Sequence, residues 1–182
     1  MNKRFLNLLA SNYLWWFGAG LLGPLYAVFA EKVGGDILEL TGAYALYLIL
    51  AGILSIYVGR ISDHHSKKHL LLVGCSLNAL ATFGYLLVDS PAKLFMVQGL
   101  FGISAALSYP TWDSLFTMSL EKKHLGTEWG LSEGGPLIVS GIGILLGGLI
   151  LTYFGFTVLF ITMGTIQVIG TIVQSRILKF KN

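Results

Sequence analysis

The stretch from Gly134 to Ser175 reads GGPLIVSGIGILLGGLILTYFGFTVLFITMGTIQVIGTIVQS and contains no charged residue. An α-helix needs about 20 apolar residues to cross the hydrocarbon core of a lipid bilayer, so this stretch is about twice as long as one span. The sequence Tyr153-Phe154-Gly155-Phe156 near its middle is typical of a turn. We therefore predict two membrane-spanning helices here, at about residues 128–153 and 156–177.

Four further apolar stretches precede this one, and charged residues separate them. They predict helices at about residues 5–30, 40–59, 69–88 and 94–118. Hydrophobic residues make up 54% of the 182 residues and charged residues only 12%, whereas soluble domains carry about 25% charged residues. The composition therefore argues against a soluble domain. It predicts an all-α membrane protein, with a single bundle of six transmembrane helices over residues 1–182.

The basic residues predict the orientation of this bundle, because Lys and Arg favour the cytoplasmic side of short loops. With six spans, all of the twelve basic residues except Lys32 and Lys93 fall on one side, in the two tails and in two of the loops. We expect both termini to be cytoplasmic and the protein to lie in the plasma (inner) membrane. The net charge of +3 is then explained by topology, and we expect no nucleic-acid partner.

The order of the spans predicts internal symmetry. The first apolar run follows Lys3 and Arg4 but is too long for a signal peptide, so we expect a retained helix. Three helices followed by three more form an inverted repeat, which is common in secondary transporters. Small residues spaced four apart predict closely packed helix faces: Ala51, Ser55 and Gly59 in the second span, Gly102 and Ala106 in the fourth, and Gly143 and Gly147 in the fifth.

The residues 59–68, GRISDHHSKK, form a dense polar patch between the second and third apolar stretches. Gly59, Asp63, Lys67 and Lys68 have the spacing of the loop signature of the major facilitator superfamily, G-x-x-x-D-x-x-G-R/K-R/K, with Ser66 at its second glycine. The chain therefore resembles that superfamily. Since its members usually have twelve helices, the resemblance indicates a half-length member with six.

Two other segments resemble motifs of the same family, and each departs from its motif at one position. The residues 98–106, QGLFGISAA, resemble a fourth-helix motif, but Phe95 stands where many proton-coupled members carry an arginine. The residues 143–148, GILLGG, resemble the end of the antiporter motif G-P-x-x-G-G, with Ile144 in place of its proline. The resemblance therefore does not extend to proton coupling or antiport.

The resemblance implies transport of a small solute by alternating access, without enzyme activity or a cofactor. It also implies that Gly59, Asp63, Lys67 and Lys68 form a gating loop. In the family, the matching aspartate docks against a helix of the other six-helix half, and no such half occurs in this sequence. We therefore expect a homodimer, in which the docking site lies near Thr127 and Glu128 on the fifth helix of a second copy.

A solute cavity is predicted from polar and aromatic side chains on facing helices. Amide and aromatic groups offer hydrogen bonds and flat apolar faces to a small molecule, and a charge inside a membrane is costly unless it has a function. Pro24 and Pro110 are expected to kink their helices. The predicted cavity-lining residues are Asn12, Trp16, Tyr26, Gln98, Tyr109, Trp112, Asp113 and Glu133.

Other classes of function fit the sequence less well. Ser104 lies in a segment faintly similar to the rhomboid serine motif, but no histidine follows His124 to act as its base. The histidines His64, His65 and His69 lie in a basic patch and do not predict a metal site. Two alternatives to a self-sufficient transporter stay open: a non-transporting accessory membrane subunit, and one half of a split transporter that needs a different second half.

Overall fold

The structure is a computed structural model that describes residues 3–180. Among these residues there are α-helices and short 3-10 turns but no strand. The helices are α1 Lys3–Leu22, α2 Leu25–Lys32, α3 Ile37–His64, α4 Lys67–Gly84, α5 Pro91–Thr117 and α6 Leu125–Ser175. The 3-10 turns Tyr85–Leu87 and Arg176–Lys179 follow α4 and α6. The ends of the predicted bundle over residues 1–182, including the basic residue Lys181, lie outside the described range.

The first predicted helix is broken into α1 and α2. Gly23 has a positive φ of 34°, and Pro24 follows as the residue before α2. Proline removes a backbone donor and fixes its own φ, so it ends one helix and can begin another. The two helices are bent by 50° relative to each other. In contrast, Pro110 lies inside α5, which runs without a break.

The polar patch 59–68 is mostly helical and not a ten-residue loop. Asp36 and Glu39 form a capping box that starts α3, and the helix continues past the apolar run to His64. Only His65 and Ser66 separate it from α4. Helix ends are set by capping and turn residues and not by hydropathy, which is why the predicted boundary at residue 59 came too early.

Helix α6 contains two arms that run in opposite directions. Gly155, at φ 79° and ψ 178°, interrupts the helical backbone between residues 125–154 and 156–175. This region of φ/ψ space is open essentially to glycine alone. Contacts to α1 advance with sequence along the first arm and reverse along the second. The chain therefore turns back on itself at Gly155, and we call 125–154 the outgoing arm and 156–175 the returning arm.

A second set of contacts has the same arrangement around α5. Helix α3 packs alongside α5 in parallel, with Gly42 near Phe95 and Gly102 near Leu50. Helix α4 packs against α5 in the antiparallel direction, and Ser104 Oγ donates a hydrogen bond to a carbonyl of α4 at 2.9 Å. Helix α5 thus corresponds to α1. Its parallel neighbour α3 corresponds to the outgoing arm, and its antiparallel neighbour α4 corresponds to the returning arm.

Four of the helices are long and apolar enough to cross a membrane, or five if the bent pair α1 and α2 counts as one span. Helix α6, with both of its arms, counts as one of the four. The predicted all-α membrane fold is therefore confirmed. The division into six spans stays a prediction at this point.

Glycines on α6 and α5 allow helices to approach at their backbones. A Cβ atom added at Gly143 would lie 2.7 Å from Phe17 O, and one added at Gly147 would overlap Leu21 O. At Gly102 it would lie 3.0 Å from Tyr47 O. Gly59 differs, since among residues 3–180 no heavy atom outside its own turn of helix lies within 4 Å of that position.

Two apolar clusters fill the bundle near its opposite ends. One centres on an aromatic group in which Phe29, Tyr85 and Phe160 have ring centroids 4.7–5.6 Å apart. The other, nearer the chain termini, includes Phe5 and Phe116.

Candidate functional site

A cavity of about 560 Å³ lies in the bundle between α1, α4, α5 and both arms of α6. It is in the half of the bundle that contains the chain termini, since Asp113 is one turn from the end of α5 and Ser11 is two turns from the start of α1. Its volume falls within the roughly 300–1,000 Å³ of small-molecule sites.

Six of the eight predicted cavity residues line this cavity: Asn12, Trp16, Tyr109, Trp112, Asp113 and Glu133. The other two, Tyr26 and Gln98, lie at the far end of the bundle. Tyr26 packs against the aromatic cluster around Phe29, and the buried Gln98 has its Nε2 3.5 Å from the hydroxyl of Tyr85.

The two carboxylates stand at the mouth of the cavity. Asp113 on α5 and Glu133 on the outgoing arm are both exposed in the single chain while lining the same space. None of the described residues that line the cavity is Lys, Arg or His. The cavity therefore carries negative charge with no basic side chain in its wall.

Other residues that line the cavity have buried polar groups without hydrogen-bond partners. Ser132 Oγ, Gln174 Nε2 and Trp112 Nε1 make no hydrogen bond within the part of the chain that the structure describes. The Oε1 atom of Gln174 does accept one, from Ser11 Oγ. A buried donor without a partner costs about 1–3 kcal/mol. These atoms are thus available to water or to a ligand.

Sequence reasoning missed the contribution of the last helix. Gln167, Thr171 and Gln174 of the returning arm line the cavity, and Gln167 Nε2 also donates to Trp15 O at 3.1 Å. Their spacing of four and three residues places them on one helix face. Such a polar stripe in an otherwise apolar helix is the signal that identifies this wall from sequence.

The four predicted gating residues surround the short turn between α3 and α4, and none of them is among the described lining residues of the cavity. Asp63 is exposed, and its Oδ1 lies 3.6 Å from Lys67 Nζ. Lys67 also donates to Ser62 O at 2.6 Å. Lys68 is buried, and its Nζ donates to Phe180 O at 2.6 Å. It therefore holds the turn against the chain after α6.

The start of α6, where docking is expected, is partly engaged within the chain. Glu128 is buried, and its Oε2 accepts a hydrogen bond from the backbone N of Glu121 at 2.8 Å. Thr127 is exposed. His124, the residue before the helix, makes no side-chain capping bond. Residues 125–127 at this end are exposed, and the N-terminal end of a helix attracts a carboxylate.

A bundle of apolar helices around an internal cavity defines a multispanning membrane protein. The family model for the Major Facilitator Superfamily matches residues 8–179. The chain belongs to this family, whose members are membrane transporters and not enzymes.

Individual relatives agree with this assignment. The uncharacterized MFS-type transporter MJ1560 of Methanocaldococcus jannaschii is 24% identical over 157 residues, which are 86% of this chain and 41% of that protein. The uncharacterized MFS-type transporter YitZ of Bacillus subtilis is 21% identical over 144 residues, 79% of this chain and 88% of YitZ. The quinolone resistance protein NorB of Staphylococcus aureus is 22% identical over 172 residues, 93% of this chain and 36% of NorB. The chain thus spans about two fifths of MJ1560 and most of YitZ.

Proposed function

We propose that this chain forms one half of a secondary transporter that moves a small solute across the membrane by alternating access, and that a second copy forms the other half. The observation that carries the proposal is the cavity, which this chain does not enclose completely. Trp16, Tyr109 and Leu137 at its border are exposed in the single chain. A second bundle placed against this face would complete the wall.

Six spans are the arrangement that fits the dimensions of α6. Its 51 residues would extend about 77 Å as one helix, whereas the hydrocarbon core is about 30 Å thick. Two antiparallel arms joined at Gly155 remove this mismatch. With α1 and α2 as one broken span, the bundle has six crossings.

A three-plus-three inverted repeat accounts for the matching contacts around α1 and α5. A two-fold axis in the membrane plane would exchange α1 with α5, the outgoing arm with α3, and the returning arm with α4. The parallel neighbour of α1 would then match the parallel neighbour of α5, and the two antiparallel neighbours would match in the same way. Helix α4 and the returning arm, which the axis would exchange, contact each other, and Phe83 packs over Gly164 there.

The homodimer is supported by the apolar faces that the single chain leaves uncovered. Helix α3 exposes Ile49, Ile53 and Ile56, and the outgoing arm exposes Leu137 and Leu145. In a dimer with its axis along the membrane normal, α3 of one copy would face the outgoing arm of the other. A cyclic two-fold arrangement forms this contact twice, so α3 and the outgoing arm are covered in both copies. Gly59, which has open space at its Cβ position, would allow the backbones to approach.

Asp63 would then act as a latch between the two copies. Its exposed carboxylate is placed on α3 near the end of the bundle that holds the start of α6. In the second copy, that start presents uncapped amide groups, which attract negative charge. Forming and breaking this contact would favour one conformation over the other. The basic residues near both termini support cytoplasmic tails and a plasma membrane location.

The experiment is flux into liposomes that contain only the purified chain, using solutes that raise its melting temperature. We expect flux of at least one such solute. Asp63→Asn keeps the side-chain size and removes the charge, and a helix-end interaction of about 1–2 kcal/mol predicts a loss of rate of about five- to thirtyfold. Asp89→Asn is the matched control, because exposed Asp89 pairs only locally with Lys93 at 2.5 Å.

Absence of flux for every stabilising solute would contradict self-sufficient transport. It would favour an accessory subunit or a half that needs a different partner. Equal rates for Asp63→Asn and Asp89→Asn would contradict the latch while leaving transport intact.

A further inference from the structure

We propose that the cavity selects amphipathic organic cations, molecules that combine one positive charge with an aromatic or otherwise apolar body. This inference names a substrate class for the proposed transporter and rests on that function for its biological role. Binding to the purified protein can nevertheless be measured without any transport.

The preference for a positively charged ligand rests on the two acids at the mouth of the cavity. Asp113 and Glu133 approach the cavity from different helices, and an acid within a membrane span is retained at a cost. Lys68 at the start of α4 and Arg176 just after α6 lie closer to the end of the bundle, outside the set of lining residues. Lys68 is already bonded to Phe180 O. A cationic ligand would therefore meet two carboxylates without a competing ammonium or guanidinium in the cavity wall.

The preference for a ligand with an apolar body rests on the aromatic side chains that line the cavity beside those acids. The rings of Trp15 and Trp16 lie 5.0 Å apart, and those of Trp15 and Tyr109 lie 6.2 Å apart, both edge to face. The hydroxyl of Tyr109 lies 2.9 Å from that of Tyr47, so this side of the cavity is linked to α3. Ring faces attract a cation within about 6 Å and also pack against flat apolar groups.

The unpaired polar atoms supply an observation independent of the acids. Ser132 and Gln174 are 4% and 2% exposed, and both line the cavity. Their Oγ and Nε2 atoms have no hydrogen-bond partner among residues 3–180. A ligand in the cavity would meet these groups. The cavity thus has the features of a binding site and not only a pair of surface carboxylates.

The size of the space favours an organic ion over a metal ion. The cavity is about 560 Å³, whereas a bare metal ion needs a tight shell of oxygen or nitrogen ligands at about 2.0–2.6 Å. Among the described residues, no group of three or more His, Cys, Asp or Glu side chains is placed to hold a metal. Two separate acids and several rings suit a delocalised charge on a larger molecule.

The test compares tetraphenylphosphonium with tetraphenylborate, two ions of the same shape and opposite charge. Binding to the purified protein is measured by equilibrium dialysis. We expect tetraphenylphosphonium to bind at least about tenfold more tightly, because the Coulomb interaction with a carboxylate near a protein surface is large enough for that difference. This comparison uses the unaltered chain, so it does not depend on whether any variant folds.

Variants then assign the effect to the acids. Asp113→Asn and Glu133→Gln should each weaken tetraphenylphosphonium binding by about tenfold and leave tetraphenylborate binding no weaker than before. Asp89→Asn is the control, since exposed Asp89 is engaged with Lys93 at the other end of α5 and should change binding by less than about twofold.

Equal binding of the two ions, or preference for the anion, would overturn the inference. So would unchanged tetraphenylphosphonium binding in both folded acid variants. If neutral or anionic solutes were transported and tetraphenylphosphonium did not bind, the proposed class of cationic substrates would be wrong. The proposed transport function would still hold. Charge-selective binding without flux of any solute would support the cation site and count against the proposed transport.

Discussion

Replacing Gly147 with alanine is expected to destabilise the bundle by about 3 kcal/mol, the upper part of the range for overpacked interiors. The added methyl group would overlap Leu21 O and would also lie 2.7 Å from the Leu21 carbonyl carbon. A side chain can rotate away from such a clash, but the backbone of α1 cannot. The outgoing arm and α1 would have to separate along their shared face. Thermal unfolding of the purified protein in detergent measures the loss.

Gly148→Ala is the matched control one residue away. In the described part of the chain, no heavy atom outside its own turn of helix lies within 4 Å of its Cβ position, and alanine is favoured over glycine in a helix by about 0.5–1 kcal/mol. The melting temperature should therefore stay the same or rise. Equal destabilisation by the two variants would contradict the packing of the outgoing arm against α1.

Cysteine labelling at Tyr153 is expected to give an all-or-none result that reports the turn at Gly155. Tyr153 is 74% exposed and lies two residues before the positive φ of Gly155. If α6 is a hairpin of two spans, this position is at the extracytoplasmic surface. Tyr153→Cys, in a Cys75→Ala background that removes the native thiol, should react with a membrane-impermeant maleimide in intact cells.

Lys123→Cys serves as the control on the opposite side, because it lies in the connection just before α6. It should react only in inverted vesicles. The six-span topology with cytoplasmic termini would be wrong if the two positions were labelled from the same side, or if Tyr153→Cys reacted only in inverted vesicles.

Much of the helical architecture could be predicted from the sequence, because a membrane span needs little more than apolar length. The ends of the helices were harder. The capping box of Asp36 and Glu39 lies outside the apolar run, and the charged residues up to His64 continue α3. Gly23 and Pro24 mark the break in the first span, but the angle of 50° depends on how α2 packs against the aromatic cluster.

The candidate site could be predicted where residues share both a helix face and a depth. Trp112 and Asp113 follow Tyr109 by three and four residues, and all three line the cavity. Gln98 is on nearly the same face as Tyr109 but about 16 Å further along α5, where aromatic rings fill the space. Tyr26 lies beyond the bend at Pro24. Depth and bending are tertiary properties, which a pattern of residue types does not contain.

Proton coupling and antiport were not expected from the motifs, and the positions concerned have packing roles here. Phe95 has its ring 3.1 Å from the Cβ position of Gly42 on α3, so it fills the contact between those helices. Ile144 lies 3.0 Å from the Cβ position of Gly23, beside the bend of the first span. Both side chains are apolar, and neither supplies a proton-carrying group.

Disulfide trapping between α3 and the outgoing arm tests the two-copy transporter most directly. Ile53 lies about 16 Å from the end of α3 and Leu137 about 18 Å from the start of α6, so they share a depth in the membrane. Both are exposed in the single chain. With Cys75→Ala, the double variant Ile53→Cys and Leu137→Cys is oxidised in native membranes. The matched control pairs Leu137→Cys with Leu80→Cys, because Leu80 is an exposed α4 residue at a similar depth.

We predict a cross-linked dimer for the first pair and little or none for the control. Cysteines bridge only when their Cα atoms come within about 7 Å, so the bond requires the proposed contact between α3 of one copy and the outgoing arm of the other. Monomer alone for both pairs, or equal cross-linking of both, would contradict the proposal that two copies of this chain form one transporter.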